Sequence, residues 1–217
     1  LSGADFLPIT LDKAEIVDFN VNISVSDDAS PGQYSFSIRA ICTTCSTSMS
    51  GNDVLIRKID VPAMRSVEIT AEITEIDAFS DGVMQRVLLE ISNLGNDDEV
   101  FDLILTQSNA HLQAGLVADV TGILEAWDGF TEVHLELPMP KHLNPGLYSV
   151  TVRVESQNDP SVWDSVTISV TVLDTSAVEV LADDPDQSYI PGGDSETVRF
   201  EIRNDGNSPD RFTLEVQ

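Results

Sequence analysis

Ile91-Ser92-Asn93-Leu94-Gly95-Asn96, with Phe101-Asp102-Leu103-Ile104-Leu105 after it, returns as Ile202-Arg203-Asn204-Asp205-Gly206-Asn207, with Phe212-Thr213-Leu214-Glu215-Val216 after it. Residue 93 maps to 204 and residue 101 to 212, an offset of 111 in both cases. A second phrase recurs at an offset of 114: Pro31-Gly32-Gln33-Tyr34-Ser35-Phe36-Ser37-Ile38-Arg39 matches Pro145-Gly146-Leu147-Tyr148-Ser149-Val150-Thr151-Val152-Arg153. A period near 110 residues is the size of one β-sandwich of roughly 100 residues. The chain therefore reads as a string of like modules. Val67-Glu68-Ile69 aligns with Val178-Glu179-Val180, and Gly82 with Gly193. This places one complete repeat at 63–174. Residues 1–62 read as the second half of a preceding repeat and 175–217 as the first half of a following one, so the chain reads as an excerpt.

Within the complete repeat, apolar residues alternate with polar ones in run after run, the mark of a half-buried strand. The runs are Val67, Ile69, Ala71 and Ile73; Val87, Leu89 and Ile91; Phe101, Leu103 and Leu105; Val133, Leu135, Leu137 and Met139; Tyr148, Val150, Val152 and Val154; and Val166, Ile168, Val170 and Val172. A less regular strand near Leu116–Val120 makes seven. Strands at this spacing with turn signals between them predict an all-β fold of tandem immunoglobulin-like antiparallel β-sandwiches. Asn93–Asn96 and Asn204–Asn207 supply the Asn, Asp and Gly that a hairpin turn needs at positive φ. Pro31-Gly32 and Pro145-Gly146 suit a turn with proline second and glycine third. Each precedes a tyrosine, Tyr34 or Tyr148, at the corner where a phenol bonds back to the backbone in such sandwiches. Residues 110–127 place Leu112, Leu116, Val120 and Leu124 four apart, but Gly115 and Gly122 weaken a helix, and a strand followed by an irregular loop is expected.

The charge is the compositional outlier: 37 acidic residues against 11 basic ones, a net charge of −26. Nucleic acid and anionic membrane faces are repelled by such a surface, so neither is an expected partner. Cations, basic partners and water are compatible with it. An acid-rich, lysine-poor surface suits a salty medium, where screening relieves self-repulsion; an acidic extracellular module without halophily fits the same composition. No run approaches the ~20 apolar residues of a membrane span, so this segment is not expected to insert into a membrane.

The two phrases together resemble the immunoglobulin-like repeats of prokaryotic surface proteins, in particular the adhesion-related CARDB modules and the related NEW3 domain. Ile91–Leu103 and Ile202–Leu214 carry the first motif, Pro31–Ile38 and Pro145–Val152 the second. The resemblance implies a seven-stranded sandwich and a secreted or cell-surface location, archaeal or bacterial. Its motif residues are turn and core positions, so it transfers no catalytic residue.

Cys42 and Cys45 lie in a loop three residues longer than its counterpart in the complete repeat. Zinc needs about four ligands, and no second Cys or Cys/His pair is present. Redox CxxC motifs open helices, whereas this one follows a strand. A local disulfide pinning the loop is the preferred reading over redox chemistry or reduced, inert thiols. His111, His134 and His142 lack metal-protease spacing and read as surface residues. No nucleophile elbow, P-loop or dinucleotide fingerprint occurs, so no enzyme is expected. Acidic loops are the candidate metal ligands: Asp97 and Asp98 in one, Asp183, Asp184 and Asp186 in another. None matches the EF-hand pattern; solvated loops are the default, and calcium at a junction between repeats, which would stiffen an array, is the alternative. No cofactor is otherwise required. Asn22-Ile23-Ser24 is an N-glycosylation acceptor pattern, often fortuitous, with Asn22 outward on a strand. Trp127 and Trp163, both preceding Asp, are the candidate binding aromatics, although Trp163 also suits a cap on the core.

These readings give a structural spacer or adhesion stalk, with neighbouring repeats as partners and other surface proteins or glycans as further ones. The alternative is a carbohydrate- or protein-binding accessory module of a larger secreted enzyme.

Overall fold

The alternating rows are buried when two sheets face each other. The computed structural model describes residues 9–44, 52–182, 192–193 and 197–216. The first two strands, β1 (Gly32–Ile41) and β2 (Asn52–Val61), form an antiparallel hairpin. Next come β3 (Val67–Ala71), β4 (Glu75–Ala78), β5 (Met84–Asn93), β6 (Phe101–Gln107), β7 (Gly115–Leu116), β8 (Phe130–Pro138), β9 (Gly146–Ser156) and β10 (Trp163–Val172). The last pair, β11 (Val178–Ala182) and β12 (Phe200–Asn204), is again antiparallel.

Strands β3 to β10 close one sandwich. One sheet has the order β3-β5-β8-β7 and the other β4-β10-β9-β6. The rows picked out by period-2 alternation face each other across the core: Val87, Leu89 and Ile91 of β5 and Leu135 and Leu137 of β8 on one side, Phe101 of β6, Val150, Val152 and Val154 of β9, and Ile168 and Val170 of β10 on the other. All of these are fully buried.

Two predicted elements take a different form. The run through Ile73 is not one strand: β3 pairs with β5, the chain breaks at Glu72–Thr74, and β4 crosses to pair in parallel with β10. Ile73 therefore leaves the inward row and is exposed. Splitting the first strand lets Val67 and Ile69 serve one sheet while Ile76 and Ala78 pack on the core from the other. The stretch 110–127 forms a short 3₁₀ turn at Ala110–Leu112, the two-residue β7, and then irregular chain tied by single bridges, Asp102 to Val120 and Glu99 to Leu124. Leu112 and Leu124 reach the core from it, so the irregular backbone still buries its apolar residues.

The tyrosine corners form in both copies. The Tyr148 hydroxyl donates to the Asn144 carbonyl and the Tyr34 hydroxyl to the Ser30 carbonyl, each at 2.8 Å. The preceding glycines match as well, with φ of +145° at Gly146 and +148° at Gly32, a region that glycine enters without a Cβ clash. Tyr148→Phe keeps the packing and removes one partly buried hydrogen bond. It should lower unfolding free energy by about 1 kcal/mol, read as a lower midpoint in urea at unchanged slope; an unchanged midpoint would deny the corner a stabilising role.

Hairpin registers repeat too. Tyr34 faces Ile59 as Tyr148 faces Val170, and Arg39 faces Val54 as Arg153 faces Ser165. Val178 faces Asn204 as Val67 faces Asn93. Residues 9–31 carry no strand, so Asn22 is exposed on irregular chain and not on the strand expected for it. Residues 16–24 correspond to β8, which has β5 and β7 beside it to satisfy its backbone; they have no such neighbours among the described residues.

Candidate functional site at the Asn-x-Gly-Asn turns

The Asn-x-Gly-Asn phrase turns the chain, but not as the positive-φ hairpin that its composition predicts: β5 and β6 lie in different sheets, no residue of Asn93–Asn96 or Asn204–Asn207 has positive φ, and the asparagines do more than turn the chain. At Asn93 the side-chain carbonyl accepts from the Gly95 N–H at 2.9 Å, while its amide donates to the carbonyls of Asp97 at 2.8 Å and of Leu124 and Glu125 at 3.1 Å each. This fixes the loop. Asn96 then grips the segment that leads into β3. Its side chain accepts from the Met64 N–H at 2.7 Å and donates to the Pro62 carbonyl at 3.1 Å and the Ala29 carbonyl at 3.3 Å, and its backbone N–H donates to Met64 O at 2.9 Å. Leu94 N–H donates to Ser66 O at 3.0 Å. Asn93 and Asn96 are both buried, so these amides have no water to fall back on.

The same clamp closes 111 residues later on the next link. Asn204 accepts from the Gly206 N–H and donates to the Ser208 carbonyl, both at 2.9 Å. Asn207 accepts from the Thr175 N–H and donates to the Leu173 carbonyl, each at 2.8 Å, and its own N–H reaches Thr175 O at 3.1 Å. Asp205 N–H donates to Ala177 O at 2.9 Å. Glycine is required between the asparagines by close approach: a Cβ on Gly95 would sit 2.5 Å from Met64 O, and one on Gly206 would sit 2.4 Å from Thr175 O.

Ion pairs around the two clamps differ. At the first, Arg65 Nε lies 2.9 Å from the carboxylate of Glu99 and its Nη2 lies 3.6 Å from that of Asp97. Glu99 is 2% exposed, and its other oxygen accepts from Asn158 Nδ2 at 2.6 Å, so the buried carboxylate is paired on both sides. At the second, Ser176 and Asp210 stand at the places of Arg65 and Glu99. There Arg203 pairs instead with Asp205 at 2.6 Å and Glu179 at 2.5 Å. The hydrogen bond from Arg203 holds the Asp205 carboxyl below its ordinary range, helped by the positive charges of Arg203, His142 and Lys141, and the same pairing raises Arg203. His142 Nδ1 sits 3.1 Å from Gly206 O, tying the complete sandwich to the second clamp. An open cleft of about 720 Å³ lies at this junction between Phe79, Asp81, Lys141 and Arg203.

The predicted site residues fall as follows. Asp97 pairs with Arg65, and Asp98 accepts from the Ala126 N–H at 3.1 Å. Among the described residues no group of three or more His, Cys, Asp or Glu is gathered as a metal site would need. Asp183, Asp184 and Asp186 lie outside the described residues, as does Cys45. Cys42, directly after β1, is disulfide-bonded. Trp127 is half-buried, its backbone N–H donates to Gly95 O at 2.8 Å and its indole N–H is covered, which makes it part of the first clamp's wall. Trp163 is 52% exposed at the start of β10, with the Arg153 guanidinium 4.6 Å above its ring. That cation–π contact occupies one face of the ring. His134 is exposed on β8 as expected. The clamp itself was the functional feature missed at sequence level. Its signal was there: two asparagines three apart, identical in both copies, beside a glycine.

Two facing sheets, one carrying β3, β5, β8 and β7 and the other β6, β9 and β10 with the split first strand β4 at its edge, make this an immunoglobulin-like β-sandwich protein. No family model matches the sequence, and no curated protein matches it. Among solved structures, half of the chain is similar to a family 123 glycoside hydrolase from Clostridium perfringens, at 10% identity and a TM-score of 0.37. Half is likewise similar to the E. coli chaperone DraB, at 10% identity and a TM-score of 0.35. Sixty-six per cent is similar to domains 4 and 5 of the S-layer protein SbsC, at 12% identity and a TM-score of 0.34. The chain spans 27%, 55% and 66% of those three structures. These are partial likenesses at low identity, and the fold assignment rests on the strand order of this chain. No helix among the described residues is long and apolar enough to cross a membrane.

Proposed function

We propose that this chain is a non-catalytic segment of a tandem immunoglobulin-like array in a secreted or surface-anchored protein, where it acts as a spacer or adhesion stalk of the kind its CARDB- and NEW3-like phrases imply. Residues 63–174 are one repeat, 1–62 the end of the repeat before it and 175–217 the start of the repeat after it. The observation that carries this reading is the clamp that recurs at an offset of 111. In both copies a buried asparagine side chain accepts from one backbone N–H and donates to one carbonyl of the entering link. Links held this way set the pitch between modules, and the acidic surface keeps the array dispersed.

Small-angle scattering tests it. The native chain should behave as a stiff, elongated particle. Asn96→Ala with Asn207→Ala, which leaves link groups unpaired, should shorten its mean maximum dimension and open residues 62–66 and 173–177 to limited proteolysis. Unchanged scattering and cleavage in the double variant would sink the reading. Calcium belongs to the same proposal as a stiffener at acidic junction loops that include Asp97, Asp98, Asp183, Asp184 and Asp186. A thermal melt at fixed ionic strength should then rise by several degrees between chelator and millimolar calcium; coincident melts would leave the acidic loops as solvating surface. The loop disulfide is proposed to join Cys42 to Cys45.

A further inference from the structure

The sheet of β4, β10, β9 and β6 turns one face to the core and the other to solvent. On the solvent face, Trp163 of β10 stands opposite Glu155 of β9, and Glu155 stands opposite Asp102 of β6. Their neighbours along the strands, Val154 and Leu103, are buried in the core, which puts this row outward. Neighbouring strands lie about 4.8 Å apart, so the row runs about 10 Å across the face. All three residues belong to the closed sandwich, and none to the first or last hairpin.

The Trp163 ring is held and still open. Trp163 is 52% exposed although the Arg153 guanidinium lies 4.6 Å from its ring centre. The Arg153 Nε is covered, so the arginine lies between the sheet and the ring. One ring face therefore rests on the guanidinium and the other meets solvent. Glu155 holds the guanidinium in turn, at 2.6 Å. A ring oriented in advance lowers the ordering cost of stacking on it. The hairpin does not need an indole there. Arg39 repeats Arg153 in the first hairpin, but the residue at the register place of Trp163 is Asn52. The groups beside the ring are acceptors. Glu155 accepts from Arg153, and Asp102 accepts from Gln157 Nε2 at 2.7 Å. A carboxylate offers about four lone-pair sites, so each keeps capacity for further donors.

We propose that this face binds a neutral, β-linked hexopyranose chain, with Trp163 as its stacking platform. The face of an indole is the negative side of its quadrupole, and the axial C–H groups of an all-equatorial pyranose present positive hydrogens to it. The Glu155 and Asp102 carboxylates then accept from sugar hydroxyls, in charge-assisted hydrogen bonds. The same two charges repel a uronate or a sulfated sugar. A protein ligand fits this face less well. An aromatic anchor of a protein interface is buried in a desolvated pocket, whereas Trp163 stands on an open sheet. The proposal goes beyond the spacer reading and does not depend on it.

A nuclear magnetic resonance titration of the whole chain with cellohexaose tests it, with hexagalacturonate as the anionic probe. The Trp163 indole signal and the amide signals of Asp102, Arg153 and Glu155 should shift progressively with cellohexaose and saturate. Hexagalacturonate should leave them in place. Trp163→Ala should weaken cellohexaose binding by about tenfold or more, and Trp163→Phe, which keeps a smaller ring, by less. Because Trp163 is at the surface, Trp163→Ala should move the unfolding midpoint by no more than about a few degrees, which reports that the variant still folds. Absence of any shift with cellohexaose would overturn the proposal. So would equal affinity in Trp163→Ala, which would put the sugar elsewhere. Shifts at the same residues with a decaproline peptide, and none with cellohexaose, would make the face a peptide platform and overturn the sugar assignment. Each of these failures leaves the spacer reading standing, because the clamp variants test that separately.

Discussion

Phe101→Ala should cost the β3–β10 sandwich about 3–5 kcal/mol, the range for deleting a large ring from a packed core. Phe101 opens β6 and is among the largest fully buried side chains. The rigid walls around it belong to both sheets, so the void cannot collapse without disturbing strand pairing. Against a typical total of about 5–15 kcal/mol this is a large fraction, and the melting temperature should fall by at least ten degrees. The chain holds its own control. Phe212 is the same residue in the same phrase but is substantially exposed, so Phe212→Ala in dilute protein should move the transition by less than about 1 kcal/mol. Chemical denaturation of the two variants side by side decides it. Equal effects would mean that the core is not where the strand order puts it.

Arg65→Met should be nearly as damaging, for an electrostatic reason. It leaves the Glu99 carboxylate buried with Asn158 as its remaining side-chain partner. Breaking a buried pair on one side costs about 3–5 kcal/mol, and the partial exposure of the Arg65 side chain reduces this to about 2–4. Adding Glu99→Gln removes the orphaned charge, so the double variant should regain much of the loss. That non-additivity separates a charge effect from lost packing. If the double variant is as unstable as the sum of the singles, the arginine acts through its aliphatic stem alone. The same cycle run at the second junction has no Arg65 to remove, because Ser176 stands there, so the two junctions should differ in salt sensitivity.

The first half of the repeated phrase was legible as a turn, and the second half as a strand. Asn, Gly and Asn signal local hydrogen bonding, and alternating Phe, Leu and Leu signals one buried face; the positive φ expected of the turn does not occur, because Gly95 and Gly206 are needed for close approach to Met64 O and Thr175 O. The destination of the asparagine side chains was not legible. Asn96 bonds Pro62 and Met64, more than thirty residues earlier in the chain, and nothing local specifies that distance. The split of the first strand was hidden for a related reason. Val67, Ile69, Ala71 and Ile73 alternate without interruption, yet the strand changes sheets after Ala71 because β5 is its partner on one side and β10 on the other. Trp127 and Trp163 look alike in sequence, each followed by Asp. Folding turned one into a half-buried wall of the clamp and left the other on the surface under Arg153.

The sequence by itself determined the all-β class, the inward rows of β5, β8, β9 and β10, and the tyrosine corners. These follow from short-range rules: side chains alternate along a strand, glycine tolerates positive φ, and a phenol reaches back four residues. Only the tertiary structure decided that Asn96 and Asn207 bond backbone groups at 62–64 and 173–175, and that Glu99 is a buried partner of Arg65. Those facts depend on which distant backbone groups are left unpaired when the sheets close, and a buried amide or carboxylate must find them because no water is there to take their place.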